Sequence, residues 1–145
     1  MKVDGACHCG TIRYEAEVEA EKVAVCHCTD CQTMSGSAFR VVVRTLPGSF
    51  RLLAGRPKVY VKTAESGRQR EQAFCADCGT PVYAAPVGPE PRDLVLRVGT
   101  LRQRDVLMPT LQLWARSSQG WIADLANIPA QDTQQIFAED GRIRP

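Results

Sequence analysis

Seven cysteines stand in three tight groups along the 145 residues: Cys7-His8-Cys9, Cys26-His27-Cys28-Thr29-Asp30-Cys31 and Cys75-Ala76-Asp77-Cys78. Spacings this short are metal-ligand spacings, and zinc is the natural guest for clustered thiols. Tetrahedral zinc, with Zn–S bonds of roughly 2.3 Å, holds its sulfurs only about 3.8 Å apart. Residues i and i+2 of a flat strand lie about 6.6 Å apart, so Cys26 and Cys28 need a bent backbone to share one ion. The central group has three thiols. Three ligands leave a fourth position for water, a substrate thiol or another side chain, which is the arrangement of a catalytic zinc. A closed structural site, completed by a ligand from elsewhere in the chain, is the alternative.

The other four cysteines, Cys7, Cys9, Cys75 and Cys78, form two pairs, and two pairs make one closed four-thiolate site. Such a site ties the first strand to the middle of the chain and supplies folding energy to a small β domain. A different division, with Cys26 and Cys28 joining Cys75 and Cys78, would leave Cys7, Cys9 and Cys31 scattered. A thioredoxin-like redox pair at Cys75 and Cys78 would have to open a helix in a βαβ unit, whereas Gly79-Thr80-Pro81 leads into another strand. Gly5 and Gly10 flank the first pair and are expected to permit its turn. The only two histidines, His8 and His27, each sit between cysteines. In a tight knuckle the middle side chain points away from the metal, so neither is an expected ligand.

The length fits a single domain, residues 1–145, with a modest core. No run of eighteen apolar residues is present, and the N-terminus lacks the apolar stretch of a signal peptide. An odd number of cysteines without a secretion signal points to a reducing compartment, hence a cytoplasmic protein. The pI of 8.2 is no nucleic-acid signature, because seven thiolates on two zinc ions would turn the formal +2 into about −1. Arg51, Arg56, Lys58 and Lys62 are interrupted and lack accompanying aromatics, which makes nucleic acid an unlikely partner.

Between the cysteines the pattern is that of short strands. Ile12, Tyr14, Ala16 and Val18 alternate with polar residues over 11–18, the mark of a half-buried strand. Further strands are expected at 23–25, 39–44, 50–53, 58–63, 69–74, 82–84, 93–98 and 111–115, punctuated by turns such as Leu46-Pro47-Gly48. Near the end Asp132, with Gln135 in the capping-box position and Gly141 as a stop, predicts one short helix. Many short strands and one weak helix define an all-β fold.

The motifs Gly5-Ala6-Cys7-His8-Cys9-Gly10 with Ile12-Arg13-Tyr14, Cys26-His27-Cys28 with Cys31 and Ser35-Gly36-Ser37, then Phe39, Phe74-Cys75 and Cys78-Gly79-Thr80-Pro81-Val82-Tyr83 resemble a known family. These are the glutathione-dependent formaldehyde-activating enzymes, grouped with centromere protein V, and the resemblance runs from residue 5 to about residue 121. It implies a β-tent fold of short antiparallel strands stapled by a structural zinc at Cys7, Cys9, Cys75 and Cys78. It also implies a catalytic zinc at Cys26, Cys28 and Cys31, where glutathione and formaldehyde form S-hydroxymethylglutathione, a carbon–sulfur lyase reaction read in reverse. One position departs from the family. In Pro109-Thr110-Leu111-Gln112, Gln112 stands where the family commonly has histidine; it hydrogen-bonds but does not titrate near neutral pH. The exchange is expected to alter which adduct is accepted, unless Gln112 is a plain strand residue facing solvent.

Three functional classes follow. The first is a zinc-dependent carbon–sulfur lyase acting on a small thiol or its adduct, glutathione among them, with the aldehyde carbon beside the Ser35-Gly36-Ser37 loop and Arg40 and Arg44 as candidate contacts for substrate carboxylates. The second is a non-catalytic zinc-stabilised binding module. The third is a redox or metal sensor built on the three-thiol cluster.

Overall fold

The computed structural model describes residues 1–133, 139, 140 and 142. In chain order the elements are β1 (Lys2–Ala6), β2 (Arg13–Glu17), β3 (Ala24–Cys26), α1 (Thr29–Ser35), β4 (Arg40–Arg44), β5 (Arg51–Ala54), β6 (Lys58–Thr63), β7 (Gln69–Phe74), β8 (Pro81–Pro86), β9 (Val95–Arg97) and β10 (Leu111–Leu113), joined by turns and short 3-10 segments. They form two sheets, a three-stranded one in the order β1-β2-β5 and a seven-stranded one in the order β10-β3-β4-β9-β8-β7-β6. All neighbours are antiparallel except β10 and β3. The all-β expectation therefore holds. No helix among the described residues is long and apolar enough to cross a membrane. The expected C-terminal helix falls largely on residues 134–138 and 141, which lie outside the described ones.

Two elements depart from the sequence reading. β1 had no strand signal, since Lys2-Val3-Asp4-Gly5-Ala6 has one buried side chain, Val3. Pairing with β2, from Lys2 opposite Glu17 to Ala6 opposite Arg13, makes it a strand. The central cysteines run on into α1, where the sequence predicted no helix and placed a loop at Ser35-Gly36-Ser37. None of its residues is fully buried, so it carries no apolar stripe, and Thr33, Ser35 and Gly36 favour loops on propensity. Its two ends are capped instead. The Cys31 N–H donates to Cys28 Sγ at 3.2 Å, and Gly36 closes the helix in the left-handed conformation with its N–H on the Gln32 carbonyl.

The core lies between the sheets. Ile12, Tyr14, Ala16 and Val18 are all buried, as the alternation requires, and join Val43, Val82, Ala85, Leu96 and Leu101 in one cluster. Tyr14, Phe50 and Tyr83 link the two sheets through ring contacts at 5.3 and 5.2 Å. Burial raises the Tyr14 hydroxyl to about 12, and it shares a 2.6 Å hydrogen bond with Thr100. Gly5 lies directly opposite Tyr14. A Cβ there would sit 2.5 Å from the Tyr14 ring and 2.8 Å from the Thr100 carbonyl oxygen. Gly5 is thus required by close packing of β1 against Tyr14 and not, as expected, by the cysteine turn.

Residues paired across strands share a face. On the core side the seven-stranded sheet presents Val43, Leu96 and Tyr83. Its other side carries Cys26 opposite Arg40, Val42 opposite Arg97, Gln72 opposite Ala84, and Lys62 opposite Arg70. That polar face is not simply solvated, because Arg40, Gln72 and Arg97 are buried.

Candidate functional site

The structure gathers the seven thiols into two sets. The Sγ atoms of Cys7, Cys9, Cys75 and Cys78 all lie within 4.8 Å of one another, as do those of Cys26, Cys28 and Cys31. In the four-thiol set, Cys7 Sγ is 3.5 Å from Cys9 Sγ and Cys9 Sγ 3.8 Å from Cys75 Sγ. These separations match the roughly 3.8 Å edge of a tetrahedral zinc–thiolate site. Two similar turns build the set. Gly10 and Gly79 adopt φ of 80° and 72°, a region that costs most other residues strain, and their N–H groups donate to the Cys7 and Cys75 carbonyls at 3.0 and 2.9 Å. The Ile12 N–H donates to Cys7 Sγ at 3.2 Å. The Thr80 hydroxyl, 3.1 Å from Cys78 Sγ, and its backbone hold that thiol down to about 5. Cys7 follows β1 and Cys75 follows β7, so the set joins the two sheets.

The three-thiol set is assembled from the end of β3 and the start of α1. Cys26 closes the strand, Cys28 is the helix N-cap, and Cys31 lies within the first turn. The bend expected between Cys26 and Cys28 is this strand-to-helix corner. Gln32 fastens it, donating from Nε2 to the carbonyls of His27 at 2.7 Å and Ser117 at 2.8 Å. The Cys31 thiol donates to Cys26 Sγ at 3.4 Å. That bond, helped by the backbone and side chain of Cys28 and by the charge of Arg97, lowers Cys26 to about 5; the same bond, with burial and the neighbouring Cys28, raises Cys31. Among the described residues no fourth His, Cys, Asp or Glu joins this set. The donor chemistry of both sets suits a thiophilic dication such as zinc.

Cys26, Cys28 and Cys31 border a cavity of about 580 Å³. Its floor is the outer face of the seven-stranded sheet, with Arg40, Gln72 and Arg97, and its rim includes Lys62, Glu65 and Trp114. Lys62 forms an ion pair with Asp30 and so ties β6 to α1. Arg116 lies over the Trp114 ring at 4.9 Å and pairs with Glu65 at 2.6 Å. Trp114 has a φ of 57°, a left-handed conformation that is strained for a bulky residue.

Several expected contacts are corrected. Ser35, Gly36 and Ser37 do not line the cavity. The Ser35 hydroxyl turns back onto the Cys31 carbonyl at 2.6 Å, because a helix C-terminus leaves carbonyls to satisfy. Arg44 is exposed and pairs with Asp93, whereas Arg40 does reach the cavity. Gln112 is exposed yet not a plain solvent-facing residue, since its Oε1 lies 2.9 Å from His27 Nε2. It pairs in register with Val25, one residue off Cys26, so it points to the face away from the thiols and borders a separate apolar cavity with His27 and Phe39. His27 points away from its flanking cysteines, is buried, and meets Phe39 edge-on at 5.8 Å. The residues that sequence reasoning missed are Gln72, Arg70, Arg97 and Trp114. The alternation of Leu94, Leu96 and Val98 marked the core side of β9 but not what covers the other side.

Two sheets joined at a four-thiol cluster, with a three-thiol cluster opening on a cavity, define a small β-tent protein with two candidate metal sites. The model of the family described as glutathione-dependent formaldehyde-activating enzyme matches residues 2–117, and the chain belongs to that family. An uncharacterized lyase of Schizosaccharomyces pombe is 30% identical over 82 residues, which are 57% of this chain and 56% of that relative's length. A crystal structure of a Rhodobacter sphaeroides protein, solved as a Northeast Structural Genomics target, superimposes with a TM-score of 0.57 at 18% identity, covering 75% of this chain and 98% of the other. At that identity the likeness is one of fold.

Proposed function

We propose that the protein is a zinc-dependent carbon–sulfur lyase whose substrate is a thiol–aldehyde adduct, with Cys26, Cys28 and Cys31 as the catalytic metal ligands and Cys7, Cys9, Cys75 and Cys78 as the structural ones. The observation that carries this reading is the incomplete three-thiol set on the wall of a 580 Å³ cavity. A zinc ion bound there would supply the positive charge that keeps an incoming thiol in its thiolate form. The chain's own residues do the rest. The strand-to-helix corner fixes Cys26 and Cys28, the Cys28 cap orients Cys31, and the cavity leaves room for a compact aldehyde beside the sulfur.

In the synthetic direction the thiol sulfur bonds to the aldehyde carbon and the C=O π pair becomes a hydroxyl. The thiol proton is released to solvent, and a proton from solvent reaches that oxygen; the lyase direction is the reverse. Family membership and the lyase-named relative support this chemistry, with glutathione and formaldehyde as the first substrates to try. Exchange NMR of labelled formaldehyde with glutathione measures it directly. The metal-loaded protein should accelerate exchange at least tenfold over the uncatalysed rate, and Cys28→Ser should abolish the acceleration. An unchanged rate with glutathione and with small thiols would overturn the proposal.

A further inference from the structure

Arg40 is 6% and Arg97 9% exposed, and both bond to a single neutral acceptor, Gln72 Oε1, at 3.4 and 2.8 Å. Among the described residues the Arg97 Nε has no partner. Arg70, half-buried, lines the same cavity. The other cations nearby are matched: Lys62 by Asp30, Arg44 by Asp93, Arg92 by Glu71 and Glu90, and Arg116 by Glu65. Among the described residues, Arg40, Arg70 and Arg97 have no carboxylate partner. Burying a charge is costly unless it is paired, so a floor of unpaired arginines calls for an anion. Burial, with Arg40's like charge adding to it, pulls the Arg97 guanidinium down to about 10.

The thiols supply part of that anion but not all of it. Three thiolates around one dication carry about −1, and a substrate thiolate joining them makes about −2. Three arginines exceed that by about one positive charge. Arg40 lies directly opposite Cys26 on the neighbouring strand, so the surplus charge sits beside the place where the substrate sulfur would enter.

We propose that Arg40, Arg70 and Arg97, with Gln72, form an anion subsite that receives a carboxylate borne by the substrate thiol a few bonds from its sulfur. The subsite rests on the thiol-binding reading above and selects among thiols. Arginine suits this role because its planar fork can grip both oxygens of a carboxylate. Gln72 Oε1 keeps the two guanidiniums together without neutralising either.

Calorimetric titration of the metal-loaded protein with 3-mercaptopropionate and with its neutral isostere 3-mercaptopropionamide separates the two readings. The acid should bind at least tenfold more tightly than the amide. Arg97→Met should reduce that ratio to below threefold, and Arg70→Met, at the half-buried edge, should reduce it severalfold even if the Arg97 variant does not fold. The unliganded Arg97→Met protein, if folded, should melt no lower than the parent, since it loses a buried cation without a carboxylate. Equal affinity for acid and amide, or a ratio unchanged in the arginine variants, overturns the subsite while leaving thiol binding intact. Failure of both thiols to bind overturns the thiol reading and the subsite with it.

Discussion

His27 and Gln112 illustrate how much a single side chain's face decides. The family resemblance sets Gln112 against a histidine, and its residue type alone suggested an influence on the adduct. Strand β10 instead turns it toward His27, on the side of β3 away from Cys26. Its work there is to satisfy one nitrogen of a buried imidazole whose Nδ1 has no partner among the described residues. Gln112→Leu should therefore cost about 1–3 kcal/mol of stability, the usual penalty for stranding a buried polar group. Thiol affinity should stay within twofold of the parent. A calorimetric titration giving a tenfold change, with no loss of stability, would put Gln112 back at the thiol site.

At the scale of elements, the corner from β3 into α1 combines two duties in one residue. Cys28 is both a candidate metal ligand and the helix N-cap. The two duties can be separated. Cys28→Ser keeps a cap, because a serine oxygen accepts from the third residue's N–H as well as sulfur does, while Cys28→Ala removes cap and ligand together. The metal-free alanine variant should be about 1 kcal/mol less stable than the metal-free serine variant, as measured by urea unfolding, and both should lose the metal of the three-thiol site. The strands were largely legible in the sequence because period-two patterns such as Ile12, Tyr14, Ala16 and Val18 report burial directly. The helix was not, because α1 is held by its caps and by Gln32's bonds to His27 and Ser117 rather than by an apolar stripe. β1 was missed for a related reason: its strand character comes from pairing with β2, and pairing leaves no mark on a five-residue segment with one buried side chain.

Across the whole molecule the two thiol sets differ in what they join. The four-thiol set connects the three-stranded sheet to the seven-stranded one, across a long stretch of chain, whereas the three-thiol set closes a local corner. Cysteine spacing carried this grouping in the sequence, since ligands of one ion must converge. Of the arginine floor only Arg40 was legible as a candidate contact, because Arg70 and Arg97 come from β7 and β9 and meet it only through the sheet order. Metal binding that brings distant segments together contributes directly to folding. Cys75→Ser should accordingly destabilise the protein by at least about 3 kcal/mol more than Cys31→Ser, a melting-temperature gap of roughly 6–12 °C; equal losses would contradict the division of roles.

The central claim is that the three-thiol site takes a sulfur from outside the chain, and cobalt makes this visible. In protein loaded with cobalt in place of zinc, sulfur-to-metal absorption reports the number of coordinating thiolates. Adding a small thiol in the millimolar range should strengthen those bands, and the increase should disappear in Cys28→Ser while persisting in Gln112→Leu. Bands that ignore added thiol, in protein that remains folded and fully loaded, would show a closed site and contradict the account.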